Sequence, residues 1–160
     1  MTTTTAPLLN PRTIALAHYA ARAVLERVLA RHGVTFQQSV TLRPVAVADG
    51  PIRRDELVGS VVGSLKIDAA EAHGVVDELI AAGLLAAEEP ALVRMTRAGR
   101  ELYDRTTTEA APITARVYAG IPAEDLATAG RVLTLITERA DAELAALTDS
   151  AAVTATPPSE

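Results

Sequence analysis

The chain has 160 residues and a formal net charge of −5; 49% of its residues are hydrophobic and 2% aromatic. That length suits one domain, or one protomer of a dimer, whose core is filled by small aliphatic side chains on closely packed helices. The absence of cysteine excludes a disulfide framework and thiolate chemistry, and the acidic balance means that any nucleic-acid binding must rest on local basic patches.

Met1–Leu9 is a Thr- and Pro-containing tail, expected to be disordered. It lacks the basic segment and apolar run of a signal peptide. No uncharged apolar stretch reaches the roughly 18 residues of a bilayer span. A cytoplasmic protein without a membrane partner is expected. Asn10-Pro11 then starts a helix, with a capping side chain before proline at the first helical position. It should run to His32 and stop at Gly33. Ile14, Ala17, Ala21, Val24, Leu25, Val28 and Leu29 form its apolar stripe, and Arg22 and Glu26 can pair four residues apart.

Thr35 is a plausible cap for a second helix over Phe36 to Ala48, with Val40, Val45 and Val47 as apolar contacts. Pro44 lies inside it and removes a helical hydrogen bond, so a break or kink is expected near Thr41. Asp49-Gly50-Pro51 reads as a turn. A third helix follows from Arg53 to about Leu65, with Leu57, Val58, Val61, Val62 and Leu65 inward. Its Gly59 and Gly63 either admit another backbone or merely weaken the helix.

Asp68 is the cap of a fourth helix, in which Ala72, Val75, Val76, Leu79 and Ile80 recur at helical spacing. Gly83 ends it. Leu84–Glu88 and Ala91–Thr96 are two short extended runs around Glu89-Pro90. Arg97 to Ala119 is a helix in which Pro112 should make a kink. After Gly120-Ile121-Pro122 the last helix carries Leu126, Ala129, Leu133, Ile136, Ala140, Leu144 and Leu147 on one stripe, widened by Val132 and Leu135. From Ser150 the chain is expected to be a disordered tail.

Two motifs, one hairpin apart, carry a resemblance. DELIAAG (Asp77 to Gly83) followed by Leu84-Leu85 matches a D-x-L-x-x-x-G-L run, and MTRAGREL (Met95 to Leu102) matches an L-T-x-x-G-R-x-L run. Both runs belong to the MarR family of transcriptional regulators, which the chain resembles over nearly its whole length apart from the tails. Between Glu56 and Leu79 it is about one helical turn longer than the usual family pattern. The resemblance implies a mostly α winged helix-turn-helix with a short two-stranded β-hairpin. The winged part spans about 36–96 within a single domain 10–149. Terminal dimerisation helices lie at about 10–32 and 97–148.

The resemblance further implies a homodimer on double-stranded DNA with a near-palindromic operator, and a small-molecule effector. It places Ala69, Ala70, Glu71, His73 and Gly74 on the groove-facing side of the fourth helix. That side has no Lys or Arg: Asp68 to Glu89 holds six acidic side chains and no Lys or Arg. The hairpin tip, Glu88-Glu89-Pro90-Ala91, is shorter and more acidic than family wings, which puts minor-groove insertion in doubt. Basic groups flank the motif instead. Arg53, Arg54, Lys66, Arg94, Arg97 and Arg100 can meet phosphates, or can be surface arginines paired to Asp55, Glu56 or Glu101. The DNA-binding set is therefore Arg53, Arg54, Lys66, Ala70, Glu71, His73, Arg94 and Arg97.

The crevice that the family uses for effectors implies His18, Tyr19, Arg22, Gln38 and Arg43 as a ligand-binding set, with an anionic aromatic compound near Arg22 and Tyr19. The blander reading is core histidine and interface arginine. No H-E-x-x-H, G-x-S-x-G or phosphate-binding glycine loop occurs. No catalytic residue, metal or cofactor is expected, and the chain does not read as an enzyme. The rival reading is a winged-helix module with little DNA affinity that binds a ligand or a protein.

Overall fold

The computed structural model describes residues 8–48, 50–88 and 91–154, with side chains to 149. The expected turn residue Asp49, the hairpin-tip pair Glu89-Pro90 and most of the two tails lie outside them. The chain divides into two compact units, the first ending at Thr114 and the second beginning at Ala115.

In the first unit, α1 (Pro11–Ala30) starts where the Asn10 side chain accepts the Thr13 N–H at 3.1 Å. Only Val28 and Leu29 of its stripe are buried, whereas Ala17, Ala21 and Val24 are exposed. The helix α2 (Phe36–Val47) opens on a reciprocal cap: the Thr35 hydroxyl accepts the Gln38 N–H, and the Gln38 side chain accepts the Thr35 N–H, each at 3.1 Å. It is unbroken through Pro44. Proline removes one hydrogen bond, while Thr41, Leu42 and Val45 are buried and hold the helix on both sides of the lost bond. The Thr41 hydroxyl donates back to the Gln37 carbonyl at 2.9 Å. Val47, expected inside, is exposed.

A two-residue strand, β1 (Ile52–Arg53), precedes α3 (Arg54–Leu65). Arg53 thus ends the strand and is also the N-cap of α3. Gly59 and Gly63 face open space, where an added methyl group would meet no neighbouring atom, so they weaken α3 without admitting another backbone. Lys66 ends α3 in the left-handed region at φ 55°, and three residues later α4 (Ala69–Ala81) begins. Its cap is Asp68, whose Oδ1 accepts the Glu71 N–H at 2.7 Å.

The wing is β2 (Leu85–Glu88) and β3 (Leu92–Met95). With β1 it makes a three-stranded antiparallel sheet in the order β1-β3-β2, one strand more than the expected hairpin. Ile52 pairs with Val93, Arg53 with Leu92, and Ala86 with Arg94. Leu42, Val45, Leu57, Val61, Ala72, Val76, Leu79, Leu85 and Val93 form one core beneath the sheet and α2 to α4. Each buried Leu or Val contributes about 1.5–3 kcal/mol, so this core fixes the orientation of α4 relative to the wing.

The helix α5 (Arg97–Tyr118) crosses the boundary between the units and is continuous through Pro112. Its first-unit part is clasped to the end of α1. Glu109 accepts from the Arg31 guanidinium through one oxygen and bonds His32 Nε2 at 2.7 Å through the other. The His32 hydrogen bond, with Arg31 adding its charge against some loss of solvent, holds the Glu109 carboxyl below the usual carboxylate range. A depressed carboxylate stabilises the fold above its unfolded pKa, and that contribution is lost as pH falls through the lower folded value. Melting temperatures should therefore drop more steeply below about pH 4.5 in the native chain than in Glu109→Gln. Parallel acid melts of the two proteins test this.

In the second unit, the end of α5 turns at Gly120, φ 79°, into α6 (Ala123–Thr154). The last helix runs four residues past Ser150, where the composition predicts the start of a tail. Every side chain described from Ala127 to Asp149 is exposed.

Candidate nucleic-acid interface

The register of the small sheet sorts its side chains. Residues directly opposite in an antiparallel pair share a face, and alternate residues along a strand return to it. Val93, Leu85 and Ile52 therefore face the core, while Arg53, Leu92, Arg94, Ala86 and Glu88 share the outer face. Arg53 and Arg94 are exposed there, and Arg97, 93% exposed at its side chain, begins α5 just beyond β3.

Each of these arginines has an acidic neighbour. Arg94 Nε meets Glu88 Oε1 at 2.5 Å, a diagonal pair across β2 and β3. Arg97 meets Glu101 at 2.8 Å, one helical turn on, and Arg53 meets Asp55 at 3.6 Å. These are the surface pairs of the alternative reading. Exposed pairs of this kind are worth about 0.2–1 kcal/mol, so a phosphate can replace the carboxylate at little cost. Arg54 differs. Its side chain is 27% exposed and bonds Asp77 of α4 at 2.7 Å, tying α3 to α4. Arg100, half-buried, donates to the Ala46 carbonyl at 2.8 Å and anchors α5 to the end of α2.

The open face of α4 carries Ala69, Ala70, Glu71, His73, Gly74, Asp77, Glu78 and Ala81. Three of its carboxylates are held by neighbouring elements. Gln37 donates to Glu71 at 2.7 Å, Gln38 donates to Glu78 at 3.1 Å, and Arg54 takes Asp77. Gln37 is not a residue the sequence singles out, since nothing local announces a contact between residues 34 positions apart. Lys66 is exposed at the α3–α4 turn.

The ligand set is only partly brought together. His18 packs edge-on to Tyr19 and to Phe36, with ring centroids 5.6 and 6.5 Å apart. The Arg22 guanidinium lies 4.5 Å over the Phe36 ring, while its Nε bonds Glu26 at 2.8 Å. Arg22, Glu26, Val34, Thr35, Phe36 and Gln37 line an open depression. Gln38 is committed to the α2 cap and to Glu78, and Arg43 is exposed with no ion-pair partner among the described residues. Phe36, the chain's one phenylalanine, is the member of this cluster that sequence reasoning missed.

No family model matches the sequence, and no curated protein gives a significant match. Solved structures do. A MarR-family transcriptional regulator from Rhodococcus sp. RHA1 is 19% identical with a TM-score of 0.65, covering 78% of this chain and 89% of its own. CouR from Rhodococcus jostii RHA1, solved bound to p-coumaroyl-CoA, is 19% identical with a TM-score of 0.66 over 78% of this chain and 88% of its own. BpsR of Bordetella bronchiseptica, whose DNA binding is regulated by 6-hydroxynicotinic acid, is 22% identical with a TM-score of 0.64 over 82% and 99%. At these identities the likeness is one of backbone, and it agrees with the two motifs around the wing: the chain has the winged helix-turn-helix fold of the MarR-family regulators.

Proposed function

We propose that this protein is a dimeric, DNA-binding regulator of transcription whose affinity comes from arginines flanking the helix-turn-helix. The observation that carries the reading is the outer face of the sheet, where Arg53 and Arg94 stand together with Arg97 just beyond. Lys66 adds a charge at the turn between α3 and α4. These cations suit phosphates on either side of a groove occupied by α4. Arg54 is already bound to Asp77 and serves better as a tie than as a phosphate contact. A mobility shift against the chain's own upstream DNA tests the reading. Retarded complexes that dissolve as salt rises support it. No complex at low salt, with or without cell extract, removes it.

The rival is a binding module with little DNA affinity, and the carboxylates Glu71, Asp77 and Glu78 on the open face of α4 favour it. The same mobility shift separates the two.

Dimerisation is proposed through α1 and α6. Leu16 and Tyr19 on α1 are exposed, as are Leu133, Ile136, Leu144 and Leu147 on α6. Apolar stripes of this breadth call for another surface, and a two-fold pairing of identical faces is the commonest arrangement. Light scattering at micromolar concentration is expected to give a dimer mass, with the Leu133→Asp, Ile136→Asp double variant monomeric or unfolded. A folded monomer from the native chain would sink this.

The effector is proposed as a small aromatic anion at the Tyr19–Arg22–Phe36 cluster. Arg22 keeps both Nη nitrogens without a hydrogen-bond partner among the described residues, although Glu26 beside it opposes an anion. Titration calorimetry with aromatic carboxylates should lose its signal in Arg22→Ala. Equal heats from both proteins would refute the site.

A further inference from the structure

We propose that Glu71, held by Gln37 of α2, reads a cytosine amino group in each half-site, which makes Gln37 the positioning residue for sequence preference. The inference rests on the DNA-binding reading above. In a helix-turn-helix the first residues of the second helix meet the base edges. On the open face of the first two turns of α4 stand Ala69, Ala70, Glu71, His73 and Gly74. Alanine and glycine side chains offer no polar atom, so Glu71 and His73 are the two that can hydrogen-bond a base. Asp77 and Glu78 lie a turn or more further on and are taken by Arg54 and Gln38.

The Glu71 carboxylate is acceptor-only. It therefore excludes guanine, which shows two acceptors in the major groove, and thymine, which shows an acceptor and a methyl group. Adenine shows an amino group beside the N7 acceptor, which repels the charge. Cytosine shows an amino group alone. Gln37 Nε2 donates to Glu71 Oε1 at 2.7 Å, and the acceptor-only partner dictates that amide orientation. Oε2 has no side-chain partner among the described residues. A long carboxylate that would otherwise sample several rotamers is thereby fixed before DNA arrives, so less freedom is lost on binding.

Selection of duplexes from a pool with randomised half-sites, using the full chain, tests this. The native protein should enrich one C·G pair per half-site, with roughly tenfold discrimination at that position. Glu71→Ala should lose that preference alone. Glu71→Gln should move it toward adenine, whose N6 and N7 suit a glutamine amide. Gln37→Ala should weaken the cytosine preference several-fold with the salt slope unchanged. Gln37→Glu, isosteric but unable to donate, should do the same or more. Unmoved base preference in Glu71→Ala, with binding retained, overturns this inference and leaves the regulator reading standing. Preference lost in Glu71→Ala but untouched in both Gln37 variants overturns the positioning role. Absence of any duplex binding by the native chain overturns both readings.

Discussion

Replacing Gly99 by alanine is expected to destabilise the protein by about 3 kcal/mol or more, although Gly99 lies in a helix, where alanine is ordinarily the better residue. A methyl group at that position would stand 2.0 Å from the Leu84 carbonyl oxygen and 2.7 Å from Met95 Sδ. The methionine can swing aside. The carbonyl cannot, because it accepts the Thr96 N–H at 3.2 Å and the Thr96 hydroxyl at 3.0 Å, and Leu84 itself donates to Leu79 at 2.9 Å. That hydroxyl also reaches the Gly83 carbonyl at 2.7 Å and accepts the Gly99 N–H at 3.0 Å. One threonine thus caps α5 and pins the chain entering the wing, and the glycine leaves room for that approach. Gly63→Ala is the control. Its surroundings are open, so helix propensity should prevail there and raise stability by up to about 1 kcal/mol. Urea midpoints of opposite sign for the two variants are the expected result. A stabilised Gly99→Ala would mean that α5 does not approach Leu84 so closely.

The double variant Arg94→Ala, Arg97→Ala should weaken binding to all duplexes about equally and flatten its dependence on salt. Each neutralised phosphate contributes about −0.9 to the slope of log K against log salt, and a dimer would lose four such contacts, so the slope should fall by about 3 to 4. Because both arginines already sit in exposed ion pairs with Glu88 and Glu101, their removal should cost the fold little. Fluorescence anisotropy across a salt series checks the slope. An unchanged slope would place the phosphate contacts elsewhere.

Helix starts were legible in the sequence because a cap is a local event. Asn10, Thr35 and Asp68 each bond a backbone N–H three residues on. The break expected near Thr41 is absent for the complementary reason: Pro44 acts locally, but the burial of Thr41, Leu42 and Val45 keeps α2 continuous. The strand at Ile52–Arg53 could not be seen, since two residues carry no periodicity and their partners, Val93 and Leu92, are about 40 positions away. The candidate arginines could be named, yet only the register separates Arg53 and Arg94 on the outer face from Arg54, which braces α4. The links from Gln37 to Glu71 and from Gln38 to Glu78 join distant polar residues that no pattern connects.

The dimer proposed above, if it is built on α6, would make the order of that helix depend on how much protein is present. A helix whose described side chains from Ala127 to Asp149 are all exposed has no buried face over that stretch in its own chain, and in proteins most helical stability comes from packing an apolar face. If a second copy supplies that burial, mass action sets the order of the last helix. Dilution should fray α6 while the core around Leu57 and Leu79 persists, so helical signal would fall before the core melts. The midpoint of the first transition should then climb with protein concentration, and the second should not move.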